Sequence, residues 1–231
     1  MATPTKATLT AIQGEFEIKS QFSNNFWGLL HDVPTFYNAL LNSLGRFGVS
    51  LSSVRIEGGD GTLGGVNVST WLVDFGYLLK IHIDGVTLSC PRTDRVDLSG
   101  LTELLAAVDS LVIGLTDIPC WRSHVASVSV HAKTSESPRE ITSRFVNTPN
   151  FPPKSIVGSG FVVYFTPKEN VAQSGLTVDL SAISTEALFV KYSTTLVGDI
   201  AMAAVPTMVS SAMSTALNCV GFELADLDAL I

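Results

Sequence analysis

The sequence is poor in charged residues. Asp, Glu, Lys and Arg together make up 15% of it, against about 25% in a typical soluble domain. Disorder requires high charge and low hydrophobicity, whereas 46% of this chain is hydrophobic, so we expect a folded protein. Its surface must then be covered either by Ser, Thr, Asn and Gly or by other subunits.

Basic residues are especially scarce. The chain has 14 Lys and Arg against 21 Asp and Glu, which gives a net charge of −7. The basic residues are scattered singly along the chain, and nucleic-acid binding depends largely on neutralising phosphates. We therefore expect no nucleic-acid partner and, for the same reason, no anionic membrane surface as a partner.

Cysteine is also scarce, and its count is odd. Cys90, Cys120 and Cys219 form no CxxC pair, so we expect free thiols rather than a disulfide framework. No apolar run follows Lys6, which argues against a signal peptide and for a cytoplasmic location. Residues 200–222 lack charge, but their Ser, Thr and Pro content and acidic flanks argue against a membrane span.

Hydrophobic periodicity predicts an α+β fold. Alternating apolar residues predict strands at 9–22, 54–56, 66–75, 79–90, 126–130, 156–166, 176–182 and 187–193. Apolar residues three and four apart predict helices at 33–47, 98–115 and 195–217, with the last one kinked at Pro206. Residues 133–155 are predicted to be irregular because they contain several prolines.

The residues 79–90 predict a hairpin. Asp84-Gly85 suits a type I′ turn, which needs positive φ angles. With that turn Ile83 pairs with Val86 and Ile81 with Leu88, so that one face is entirely apolar.

The predicted architecture is a largely antiparallel curved β-sheet with two or three helices packed on it. We expect a single domain, 1–231. A loose internal duplication, with halves 1–118 and 119–231, stays open.

The motifs that resemble catalytic or cofactor sites all have simpler explanations. Gly59–Gly64 matches GxGxxG, but strand residues follow where a dinucleotide site needs a helix. Cys120 and His124 are four residues apart, but on a strand that spacing separates them by about 13 Å. His82 and Asp84 share a strand face, but the turn already explains Asp84.

Two further carboxylates, Asp74 and Asp179, lie within predicted strands, where outward-facing positions explain them. We therefore assign no catalytic, cofactor or metal-binding residues and expect no cofactor. Whether the protein is an enzyme stays undecided, and the absence of enzymatic activity is the favoured expectation.

The last helix is the most unusual element, because it has no charged residue after Asp199. A helix without a charged face is usually buried on most sides, which indicates an interface formed by Met202, Met208, Ser211, Met213 and Thr215. The first interpretation is a non-catalytic structural or assembly protein that self-associates or belongs to a larger particle such as a virion. The alternatives are a small apolar ligand bound between sheet and helices and an enzyme without a recognisable motif.

Overall fold

The protein is a sheet-dominated α+β fold. The computed structural model describes residues 6–27, 29, 32–58, 65–72, 76–91, 98–115, 121–145 and 158–225. Its strands are β1 Ala7–Phe22, β2 Val54–Glu57, β3 Asn67–Leu72, β4 Tyr77–His82, β5 Gly85–Cys90, β6 Trp121–Thr134, β7 Phe161–Phe165, β8 Val171–Leu180, β9 Ala187–Val197 and β10 Phe222–Ala225. Its helices are α1 Val33–Leu44, α2 Leu98–Leu115, α3 Pro138–Ser143 and α4 Val205–Cys219.

The ten described strands form one sheet. Nine of them follow the order β2-β3-β4-β5-β1-β6-β9-β8-β7, and β10 pairs with β1 outside this order. The two longest strands, β1 and β6, lie antiparallel at its centre. Strands β1–β5 come from the predicted half 1–118 and β6–β10 from the half 119–231. Both predicted halves therefore contribute to a single continuous sheet.

The core lies between the helices and one face of the sheet. Strand residues on this face, such as Ile18, Val128 and Val190, are fully buried. They belong to the same apolar cluster as Leu40 of α1 and Leu105 of α2. The residues between them in sequence are exposed or half-buried, because side chains alternate between faces of a strand. The opposite sheet face is therefore largely polar and open.

The predicted fold class needs correction. Among the described residues four helices pack on the sheet, not two or three. The sheet has ten strands and is not wholly antiparallel, because β10 pairs parallel with the start of β1 through Ala7 and Phe222. Residues 133–155 are not uniformly irregular, since Pro138 opens the short helix α3 at its first turn, where proline is tolerated.

The last helix begins ten residues later than predicted. β9 continues to Val197, a single 3-10 turn covers Met202–Ala204, and α4 starts at Val205. Pro206 lies in the first turn of α4 and is therefore a helix-start residue, not the cause of a kink. No helix in the described part of the chain is long and apolar enough to cross a bilayer.

The predicted hairpin has the right strands but the wrong register. Ile81 pairs with Val86 and Leu79 with Leu88, which is two residues away from the predicted pairing. The apolar face is unchanged, because a shift of two preserves side-chain alternation. The loop between β4 and β5 is longer than the predicted two-residue turn. Its carbonyl oxygens accept hydrogen bonds from the end of β1 and the residues after it: Asp84 O from Phe22 N (2.9 Å) and Ile83 O from Phe26 N.

Candidate functional site

A cavity of about 540 Å³ lies between α4 and the far end of the sheet. Ligand pockets in proteins typically have volumes of about 300–1,000 Å³. One wall is a single face of α4, formed by residues at three- and four-residue spacing: Met208, Ser211, Ala212, Thr215, Ala216 and Cys219. Small side chains at four of these six positions leave the space open.

The opposite wall comes from β7, β8, β9 and the β7–β8 connection. Its lining residues are Phe165, Thr166, Lys168, Val171, Ser174 and Tyr192. Ser174 pairs with Thr194, and Leu176 with Tyr192, so Ser174 and Tyr192 share the sheet face that points toward the helices. The cavity therefore has an apolar body, and within the described part of the chain Lys168 is its only charged lining residue.

The structure separates the five residues predicted for an interface into two groups. Met202 and Met213 are fully buried in the core of the chain itself. Met208, Ser211 and Thr215 lie together on the α4 wall of the cavity. The uncharged helix thus meets two different environments: the core on one side, and on the other an open cavity in which Ser211 and Thr215 remain exposed.

A buried polar cluster lies at the other end of α4. His124 is fully buried, with Nδ1 2.8 Å from Ser20 Oγ and Nε2 2.7 Å from the carbonyl oxygen of Ile200. A carbonyl can only accept a hydrogen bond. The neutral imidazole therefore carries its proton on Nε2, and Ser20 donates to Nδ1.

Asp109 of α2 holds the next part of this cluster together. It is 8% exposed and accepts hydrogen bonds from Trp121 Nε1 (2.8 Å), Met202 N (3.1 Å) and Ala203 N (3.0 Å). The carboxylate thus satisfies two of the free N–H groups of the 3-10 turn that leads into α4. It connects α2, β6 and the start of α4.

Burial lowers the pKa of His124 below its ordinary value of 6.5. The hydrogen bond to Ile200 and the nearby charges of Asp109 and Asp199 act in the opposite direction. In the unfolded chain the ring regains its ordinary pKa, so below pH 6.5 the unfolded chain binds a proton that the folded chain does not. The contribution of His124 to stability is therefore complete above pH 6.5 and is lost as the pH falls toward the lower pKa of the folded state.

We accordingly expect the free energy of unfolding to fall as the pH is lowered from 7.5 to 5, with His124 contributing at most about 1.4 kcal/mol per pH unit. In a His124→Gln variant the fall should be shallower, because the Gln amide can donate to Ile200 without titrating. Urea denaturation at several pH values measures both slopes. Equal slopes in the two proteins would contradict this assignment.

The other predicted candidates lie apart from the cavity. His124 is enclosed in the cluster just described, while its predicted partner Cys120 lies outside the described residues, as do Gly59–Gly64 and Asp74. Asp179 accepts a hydrogen bond from the backbone N–H of Leu180 (2.7 Å). Among the described residues no three His, Cys, Asp or Glu side chains converge as metal ligands would.

His82 and Asp84 do lie together, as their spacing predicts. Both line an open depression of about 430 Å³ on the polar sheet face, together with Lys19, Gln21 and Thr87. Burial lowers the pKa of His82, while Asp84 opposes that shift. The depression has no apolar wall comparable to that of the α4 cavity.

Three important residues were not recognised in the sequence. Asp109 follows the apolar residue Val108 in the middle of its helix, and a carboxylate at this position of a charge-poor helix was the available signal. Ser174 and Tyr192 fit ordinary strand alternation, so nothing in the pattern distinguishes them from core residues.

No protein-family model and no curated protein matches the chain. Among solved structures, a rolling circle replication initiator protein from Geobacillus stearothermophilus matches with a TM-score of 0.41 and 8% identity, covering 91% of this chain and 84% of that one. The predicted non-catalytic structural, assembly or virion role and the predicted set of partners, self-association without nucleic acid, find no support in this comparison and are withdrawn. At this TM-score the match also carries no conclusion about what the present chain binds or does.

Proposed function

We propose that the protein binds a small, largely apolar molecule in the cavity between α4 and the strands β7–β9. The single observation that supports this function is the cavity itself. It has the volume of a ligand pocket, and its lining is mostly apolar, with a few polar groups such as those that orient ligands in such sites.

The α4 wall favours a small molecule over packing within the chain. Helices normally close against a sheet with large side chains, since interiors are densely packed. On the side of α4 that lines the cavity, the residues Ala212, Ala216 and Ser211 are small, and Met208 adds a flexible apolar side chain that adapts to different shapes. An apolar ligand would regain the dispersion contacts that these walls lack.

Filling the cavity with a side chain tests the proposal. The neutral fluorescent probe N-phenyl-1-naphthylamine should bind the wild type saturably with one site per chain. An Ala212→Trp variant should reduce this affinity at least tenfold, because the indole occupies the space between the walls. Fluorescence titration measures both.

Thr207→Trp is the matched control. Thr207 lies on the same helix and is exposed, but it is not a lining residue, so this variant should bind the probe as the wild type does. Thermal unfolding followed by circular dichroism verifies that both variants are folded. Non-saturable binding to the wild type, or equal affinity of the wild type and folded Ala212→Trp, would overturn the proposal. The cytoplasmic location remains a prediction that probe binding does not test.

A further inference from the structure

Two hydroxyl groups on the sheet wall of the cavity have no hydrogen-bond partner among the described residues. Tyr192 is 3% exposed and Ser174 is 6% exposed, and both line the cavity. Neither oxygen is among the fully enclosed atoms that lack a partner, so each keeps a small exposure, and the cavity is the space that both residues line. A nearby hydroxyl shows the contrast, since Thr194 Oγ1 donates to the carbonyl oxygen of Gln173 (3.2 Å).

Partly buried hydroxyls of this kind favour a polar atom on the ligand. A buried polar group that lacks a partner costs about 1–3 kcal/mol, and most such groups in proteins are therefore hydrogen-bonded. Ser174 and Tyr192 are diagonal neighbours on adjacent strands, whose Cα atoms lie about 7–8 Å apart in such pairs. One ligand end placed against this wall can therefore meet both residues.

The charge of the lining residues indicates that this ligand group is neutral. Among the residues that the structure describes, Lys168 is the only charged one that lines the cavity, and it is exposed. An anionic head placed against Ser174 and Tyr192 would lose its hydration without gaining an opposite charge. A hydroxyl or carbonyl group loses less and can use either hydroxyl, since both donate and accept.

Resting on the proposed function, we infer that the ligand class is an apolar molecule with one neutral oxygen function, an alcohol or a ketone, whose oxygen is held by Ser174 and Tyr192. The apolar body lies against Met208, Val171 and Phe165. Specificity within the class then comes from the two hydroxyls, and the hydrophobic walls contribute affinity without selecting the head group.

Competition against the fluorescent probe distinguishes the head groups. Nonan-1-ol should displace the probe at least fivefold more effectively than 1-chlorononane of equal chain length. This order is diagnostic because the chloride is the more hydrophobic of the two, so a purely apolar cavity would favour it. Nonanoate should bind more weakly than nonan-1-ol.

The variants Tyr192→Phe and Ser174→Ala remove one hydroxyl each with little change in shape. Each should weaken nonan-1-ol about fivefold, the equivalent of one net hydrogen bond, and leave 1-chlorononane unchanged. Tighter binding of nonanoate that is lost in Lys168→Met would overturn the inference in favour of an anion held at the rim. Equal binding of alcohol and chloride, unaffected by either variant, would overturn the inference but leave the proposed function intact. If none of the three compounds displaces the probe, the inference fails, and the proposed function still depends on the Ala212→Trp titration.

Discussion

Replacing Asp109 with alanine should lower the free energy of unfolding by about 3 kcal/mol or more, because three N–H donors lose their acceptor and each buried unpaired donor costs about 1–3 kcal/mol. The side chain of Asp109 accepts from an indole N–H and from two backbone N–H groups. The donors of Trp121 and Met202 are buried, whereas that of Ala203 is partly buried. The two buried donors would lose their partner without gaining solvent, which costs more than losing an exposed hydrogen bond.

Two further variants make this expectation specific. Asp109→Asn keeps the size and one acceptor oxygen, so its loss should be smaller than that of Asp109→Ala. Ser110→Ala changes the next residue of the same helix, which is exposed and donates only to the carbonyl oxygen of Ala106, and should be nearly neutral. Urea denaturation of the four proteins gives the comparison. An Asp109→Ala protein as stable as the Ser110→Ala protein would show that the cluster does not hold the start of α4.

Local structure could be predicted where a short stretch of residues decides it. Asp32 accepts from Thr35 N (3.2 Å), as its position before a proline-containing first turn predicts. Gly48 has a φ of 82°, which is the left-handed conformation expected of a glycine after a helix. Both signals depend on residues within four positions of each other, so the sequence is sufficient.

Features that depend on distant parts of the chain could not be predicted in the same way. The parallel pairing of Ala7 with Phe222 joins segments that are 215 residues apart. Strand β10 has only four residues, which is too short for an alternating pattern to predict it. The prediction of two or three helices was wrong for a related reason, since α3 has only six residues. Short elements are determined by tertiary contacts more than by their own periodicity.

The candidate site lies between these two cases. The charge-free face of α4 is visible in the sequence, and Met208, Ser211 and Thr215 were singled out from it. The residues opposite that face depend on the sheet. Ser174 and Tyr192 lie opposite α4 because β8 pairs with β9. An uncharged helix face therefore does not by itself predict burial, since Met213 is buried in the core whereas Ser211 and Thr215 line the cavity and remain exposed.

The glycine at the hairpin tip leads to the last expected result. We expect Gly85→Ala to destabilise the fold by at least about 2 kcal/mol, toward the upper part of the range for overpacking. The Asp84-Gly85 pair predicts a positive φ for Gly85 in a type I′ turn, but Gly85 is not among the residues with positive φ. A glycine is required for another reason: a Cβ there would lie 2.1 Å from the backbone carbonyl oxygen of Ser20.

The obstructing atom belongs to the central strand β1, which pairs with Gly85 through Gln21. Relief would therefore require the sheet backbone itself to move. Gly114→Ala is the matched control, because its Cβ would meet nothing within 4 Å and alanine favours the helix by up to about 1 kcal/mol. Denaturation midpoints of the two variants should therefore move in opposite directions. A Gly85→Ala protein as stable as the wild type would show that β5 does not approach β1 as closely as this pairing requires.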